Sequence, residues 1–332
     1  MLISFIVFSL FSGFSFQDPQ ETRSKLPKGF PEVIYPEGNE HTQERWALGK
    51  KLFFDPIMSD DGSISCSSCH APELAFSDDL AMSIGVGNTL GTQNAPSLTN
   101  VAYHPYFTRA GGVPTLEMQI LVPIQEHNEF NSNIIEIAER MSNDEEYVAM
   151  SQAAYERGPD AFVITRALAC FERSLISGNS PYDRYTFHKE RTVLNVLEKE
   201  GMELFFSERA QCSSCHGGFN FTDYSFQNNG LYIQYPDSGK LRFTRKESDR
   251  ALFKVPSLRN NGFTAPYMHD GSIASIEEVL DHYSEGIRKH ENLSSQLKAF
   301  HFSKKEKKQL IAFLGTLNDP SFVQDPRFKQ DL

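Results

Sequence analysis

"ALGKKLFFDPIMSDDGSISCSSCH", residues 47–70, and "EKEGMELFFSERAQCSSCH", residues 198–216, decide how this chain is read. Each runs a helical pattern with a double phenylalanine into the same pentapeptide, Cys66–His70 in one and Cys212–His216 in the other. Two thiols separated by two residues match the two vinyl groups of a porphyrin, and the histidine that follows is then held under the iron. This is the c-type haem attachment pattern. A redox CxxC has no need of the trailing histidine twice, and a zinc pair would join both halves in one site. The repeat points to two covalently bound haem c groups, one on Cys66 and Cys69, the other on Cys212 and Cys215. They would lie in two related modules arranged as pseudo-symmetric halves. His70 and His216 are the expected axial histidines. Cys170, the fifth cysteine, sits in the helical run "ITRALACFERSLIS" and reads as a small buried hydrophobe.

The 332 residues leave room for two domains, each with its own core. Hydrophobic residues at 39% and charged residues at 23% describe a soluble globular chain. The net charge of -11 argues against nucleic acid and leaves room for a basic protein partner. The opening "MLISFIVFSLFSGFSFQDPQ" is apolar, too short to span a bilayer comfortably, and runs into small and polar residues. It reads as a secretory signal, with an uncleaved anchor as the alternative because no Lys or Arg stands near the start. Residues 1–17, an estimate of the cleavage region, are set aside from the fold.

Helical patterns run over 42–54, 115–122, 133–156, 160–177, 192–206, 275–285 and 304–316. "SGNSPYDRY", 177–185, is rich in turn formers and separates the halves. The segments 76–114 and 217–272 are long Gly/Asn/Pro loops of the kind that carry function, and "LYIQY", 231–235, suggests one short strand. The fold class is mainly α: two cytochrome c-like haem domains with long irregular loops. The N-terminal domain would cover 18–180 and the C-terminal domain 181–332, with the tail from about 317 packing back on the first.

In "SIEEVLDHYSEG", 275–286, Ser275 and Glu278 form a capping box. Ile276, Val279, Leu280 and Tyr283 share one inward face, His282 points elsewhere, and Gly286 can take a left-handed stop. On these residues alone Tyr283 is a core tyrosine with a satisfied hydroxyl.

Several blocks go beyond generic haem attachment: "LGKKLFFDPIMSDDGSISCSSCHAPELAFSD", "NAPSLTN", "PTLEMQILVPIQEHNEF", "SGNSPYDRY", "VPSLRNNGFTAPYMHDGS" and "EEVLDHYSEG". In this order they resemble the bacterial di-haem cytochrome c peroxidases and their relative MauG, over essentially the whole mature chain. The resemblance implies a peroxide-reacting haem in the N-terminal half, an electron-transfer haem in the C-terminal half, and a calcium ion between them. His70 would be the proximal ligand of the first haem and His216 that of the second. Glu129 matches the distal acid–base glutamate and Gln119 the distal glutamine. Asn94, with the backbone oxygens of Thr264 and Pro266, matches the calcium ligands, and oxygen donors suit a hard cation. His269 matches a histidine near the second haem. Tyr283 falls where peroxidases place a methionine and MauG a tyrosine as the second iron's ligand; Met268 and His282 are the competing candidates. An anionic oxygen there favours Fe(III), a thioether Fe(II).

Two departures matter. "ELAFSDDLAMSIGVGNTLGTQ" holds no histidine that would block the first iron at rest, so that iron is expected open and active without pre-reduction. Arg109, in "FTRAGG", stands where the family has a tryptophan between the haems; guanidinium is no hopping site but can pair with propionates. Inter-haem transfer would then run by tunnelling or through Tyr103, Tyr106 or Phe107. Trp46 reads as core packing. The expected activity is a periplasmic, exported peroxidase reducing hydrogen peroxide with electrons from a small redox protein, cytochrome c or a cupredoxin. The alternatives are a MauG-like enzyme that oxidises residues of a partner protein and a non-catalytic electron carrier; the sequence is silent on oligomeric state and leaves a homodimer open.

Overall fold

The computed structural model describes residues 22–297 and 300–330. The expected leader, 1–17, lies outside the described residues. Helices dominate: α1 (Gln43–Phe54), α2 (Leu116–Gln119), α3 (Leu121–Gln125), α4 (Ile134–Ser142), α5 (Glu145–Tyr155), α6 (Ala161–Arg173), α7 (Pro181–Thr186), α8 (Val196–Phe205), α9 (Leu241–Thr244), α10 (Ile276–Asp281), α11 (Lys304–Gly315) and α12 (Pro320–Val323). One small antiparallel ladder pairs β1 (Phe226–Gln227) with β2 (Phe253–Lys254). The class is mainly α with long irregular segments. Among the described residues no helix is long and apolar enough to cross a membrane.

Each half is built on one pair of crossing helices, brought to backbone contact by a glycine. A Cβ on Gly49 of α1 would stand 2.0 Å from the Ala167 carbonyl oxygen of α6 and 2.9 Å from Phe171 Cβ. A Cβ on Gly201 of α8 would stand 1.9 Å from the Gln309 carbonyl oxygen of α11 and 2.9 Å from Phe313 Cβ. Four residues past each glycine comes a fully buried phenylalanine, Phe53 or Phe205, whose ring lies 5.1 Å from Phe171 or Phe313. The repeated double-Phe segment is therefore a structural repeat, with the side chain that helices need in order to stay apart removed at the crossing.

Two hydrophobic clusters follow these pairs. The first holds α1, α6 and the inner faces of α4 and α5; the second holds Phe205, Phe221, Leu280, Phe302 and α11. Phe322, Val323 and Phe328 of the tail pack in the first, with Phe322 and Phe76 rings 5.7 Å apart. Trp46 and Cys170 are buried there, as their reading as core residues requires, and Trp46 Nε1–H donates to Ser174 Oγ at 2.8 Å.

The structure corrects three local expectations. The pattern over 133–156 is two helices, because Asp144 caps α5 with bonds from Glu146 and Tyr147 N–H and so interrupts the run. "LYIQY" is not a strand: Leu231 N–H donates to the Tyr235 hydroxyl at 2.8 Å, and the ladder forms instead through Phe226–Gln227. Gly286 takes no left-handed stop; α10 widens into a π-helical turn, His282–Gly286, with the His282 ring against Gly286. The 177–185 segment, read as rich in turn formers, holds the short helix α7 and a buried ion pair. There Asp183 of α7 and Arg259 form a fully buried bidentate pair, both bonds 2.8 Å, and Ser177 Oγ donates to Asp319.

Candidate functional site

Both histidines are oriented in the same way. His70 Nδ1 lies 2.9 Å from the Phe76 carbonyl oxygen. His216 Nδ1 lies 3.3 Å from the Phe221 carbonyl and 3.2 Å from the Pro256 carbonyl. A carbonyl only accepts, so Nδ1 carries the proton in each ring and the Nε2 lone pair stays free for a metal. Burial pulls both imidazoles below their ordinary range while those carbonyls oppose it. Phe76 and Phe221 both adopt left-handed backbone, φ 59° and 51°, which turns each carbonyl back toward its histidine, and both rings are fully buried.

The four motif thiols are all pushed up, Cys69 to about 11 and Cys212 to about 12, chiefly by burial. A redox dithiol needs its attacking sulfur held low, so this pattern disfavours that rival. The residues present fit haem: two cysteine pairs, two histidines with anchored Nδ1, and one orphaned oxygen described next.

Two more of the expected groups lie in the first half of the chain. Glu117 of α2 makes a bidentate pair with Arg173 of α6, at 2.6 and 2.8 Å, which fixes the rotation of α2. Gln119 rides on that short helix, and its Oε1 is buried with no hydrogen-bond partner among the described residues. A buried amide oxygen left so calls for a partner from outside the protein. Glu129 is half-buried; burial raises its carboxyl above the usual range, and Glu126 adds to the rise. Its charge also reaches Cys69, whose thiol is raised by burial and then by Asp78 and Glu129, against Ser83. Gly85 sets the place of Glu129: a Cβ there would stand 2.1 Å from the Asn128 carbonyl oxygen, and Val86 N–H donates to Glu129 O at 3.0 Å.

Around the second motif lies Tyr283. It packs on the second cluster with Cys212, and its phenol is pushed up to about 12 by burial, with the Asn229 amide opposing and Cys212 and Cys215 adding. A phenol so placed is neutral until a cation meets its oxygen. Of the competing ligands, His282 is buried and its Nε2 lies 3.1 Å from the Asn229 carbonyl oxygen; Met268 Sδ accepts from Asn229 Nδ2 at 3.3 Å. Asn229 thus touches all three candidates. Sequence reasoning missed it, because "NNG" at 228–230 carries only a turn signal. His269 is buried and stacks on Phe253, ring centroids 4.0 Å apart, with Tyr235 at 5.8 Å.

Of the calcium donors that the resemblance implies, Asn94 already has its oxygens engaged. Asn94 Oδ1 accepts from Arg109 Nη2 at 2.6 Å and the Asn94 carbonyl from Arg109 Nε at 2.8 Å. The one side-chain oxygen of the set thereby faces a guanidinium, whose charge repels a second cation. Thr264 and Pro266 would contribute only neutral backbone oxygens.

The family model of the di-haem cytochrome c peroxidases matches residues 43–191. The methylamine utilization protein MauG of Methylorubrum extorquens is 37% identical over 92% of this chain and 87% of its own length. Cytochrome c551 peroxidase of Nitrosomonas europaea is 34% identical over 83% of this chain and 80% of its own. Among solved structures, a MauG-like protein associated with microbial copper homeostasis superposes with a TM-score of 0.87 at 34% identity, covering 92% of this chain and 97% of that one.

Proposed function

The chain belongs to the di-haem cytochrome c peroxidase family, and from that premise we propose that it reduces hydrogen peroxide to water with electrons from a small redox protein, cytochrome c or a cupredoxin. One observation carries this reading: the two motifs hold their histidines alike, yet the charge of Glu129 reaches a thiol of the first, while the Tyr283 phenol packs with a thiol of the second. Haem bound through His70 would supply the open iron position and the electrons for splitting the O–O bond. Glu129 takes the proton from one peroxide oxygen and returns it to the other, a transfer that its raised pKa brings nearer neutrality. Gln119 Oε1 accepts from the peroxide O–H and, being neutral, does not compete for that proton. Tyr283 and His216 would hold the second haem, and the Asn229 amide steadies the phenol oxygen. The modules would divide near residue 180, after export to the periplasm.

A second reading is a MauG-like enzyme that oxidises residues of a partner protein. The place of Tyr283 beside Cys212 favours it, and Arg109, which cannot carry a hole, weighs against it. Steady-state peroxide turnover with reduced cytochrome c, for the native protein and Glu129→Gln, separates the readings. The peroxidase reading expects rapid turnover that rises with pH as Glu129 ionises, and a loss of about 100-fold or more in Glu129→Gln. Slow donor use with a long-lived oxidised state moves the assignment to the second reading. No turnover at all leaves an electron carrier.

A further inference from the structure

Away from both motifs, the two halves of the chain meet along one seam. Gln93 donates to Asp237, Asn94 N–H to the His269 carbonyl at 3.1 Å, and Lys254 N–H to the Arg109 carbonyl at 2.7 Å. The backbones touch beside it, since a Cβ on Gly271 would stand 2.5 Å from Ala81 Cα. In the middle of this seam Arg109 lays its guanidinium on Asn94, which is only 4% exposed. Every polar atom of Asn94 is then engaged: both oxygens by Arg109, Nδ2 by the Leu80 carbonyl at 2.9 Å, and N–H by His269.

The surrounding charges suit a resident monocation. Burial pulls the Arg109 guanidinium down to about 10, the carboxylates of Asp270 and Asp78 oppose that fall, and Lys254 lies near enough to feel its charge. Calcium takes six to eight oxygens, usually with carboxylates among them. The donors that the family resemblance assigns here are three neutral oxygens, and the side-chain one is bonded to Arg109. A guanidinium needs no such cage, because its planar fork binds two acceptors at once and never loses its charge at working pH.

We propose that Arg109 is the built-in cation of this seam, standing where related enzymes hold a calcium ion, so that the joint between the halves is independent of metal. The geometry gives the guanidinium two jobs that calcium would otherwise do. It neutralises the carboxylates on either side, and it holds Asn94 in place, whose backbone N–H reaches across to the His269 carbonyl. Neither depends on the peroxidase assignment.

The test uses the di-haem holoprotein. After dialysis against a chelator its calcium content is measured, and thermal scans are run with and without added calcium chloride. The expected result is no stoichiometric calcium and the same melting temperature in all conditions. Arg109→Gln, which keeps hydrogen bonding but drops the charge, is expected to melt about 4–10 °C lower, and Arg109→Lys to fall less. One calcium per native chain, a drop in melting temperature on chelation, or Arg109→Gln melting with the native protein overturns the proposal. Should Arg109→Gln fail to fold, the metal content of the native protein and Arg109→Lys decide.

Discussion

Replacing Gly201 by alanine tests the helix crossing on which the second half is built. The added Cβ would meet the Gln309 carbonyl oxygen at 1.9 Å and the Phe313 Cβ at 2.9 Å. Unbonded heavy atoms are comfortable at about 3.5–4 Å, so α8 and α11 must part by about 1 Å or more, and a gap of that size forfeits up to about half of each dispersion contact. A backbone carbonyl cannot swing aside as a side chain can, which puts the strain at the upper end of the about 1–3 kcal/mol typical of overpacking. Alanine's better helix propensity returns about 1 kcal/mol. A net loss of about 2 kcal/mol lowers the melting temperature of a half this size by about 4–8 °C. Calorimetry of the holoprotein measures it, with Gly315→Ala as the control: Gly315 also lies in α11, but its Cβ would meet nothing within 4 Å. Gly49→Ala is expected to weaken the first half by a similar amount, since its clash with Ala167 O is 2.0 Å. If Gly201→Ala melts with Gly315→Ala, the crossing does not hold the second half together and the reasoning fails.

Tyr283→Met exchanges an oxygen for a thioether and is expected to raise the second haem's reduction potential by on the order of 100 mV, within the roughly 0.8 V that axial ligands span. Spectroelectrochemistry reads this directly, and an unchanged potential would mean that Tyr283 does not bind the iron. Glu172 gives a pH signature. Burial lifts its carboxyl from 4.5 to about 8, with Arg173 opposing and Glu117 adding, so the folded protein binds a proton that the unfolded chain has released. Its contribution to stability is full below the unfolded value and is lost as pH rises toward 8. Melting temperature is therefore expected to fall between pH 5 and pH 8 less steeply in Glu172→Gln than in the native protein, and parallel slopes would refute the assignment.

The sequence by itself determined what is written in short-range chemistry. The two attachment motifs need only five consecutive residues. The capping box at Ser275 is a pair three residues apart, and it forms in the structure. The double-Phe repeat announced two related helices, and the inward face of "SIEEVLDHYSEG" put Tyr283 on the second cluster. These features depend on local geometry, which a periodic pattern records. The tertiary structure decided the rest. Asn229 meets Met268, Tyr283 and His282 from at least 39 residues away, measured to Met268, and Arg109 reaches back 15 residues to Asn94. Phe76 and Phe221 act through carbonyls, which no residue identity reveals. Hydrogen bonds of this kind are set by where the packed cores bring distant backbone segments, and the order of residues along a chain does not record that distance.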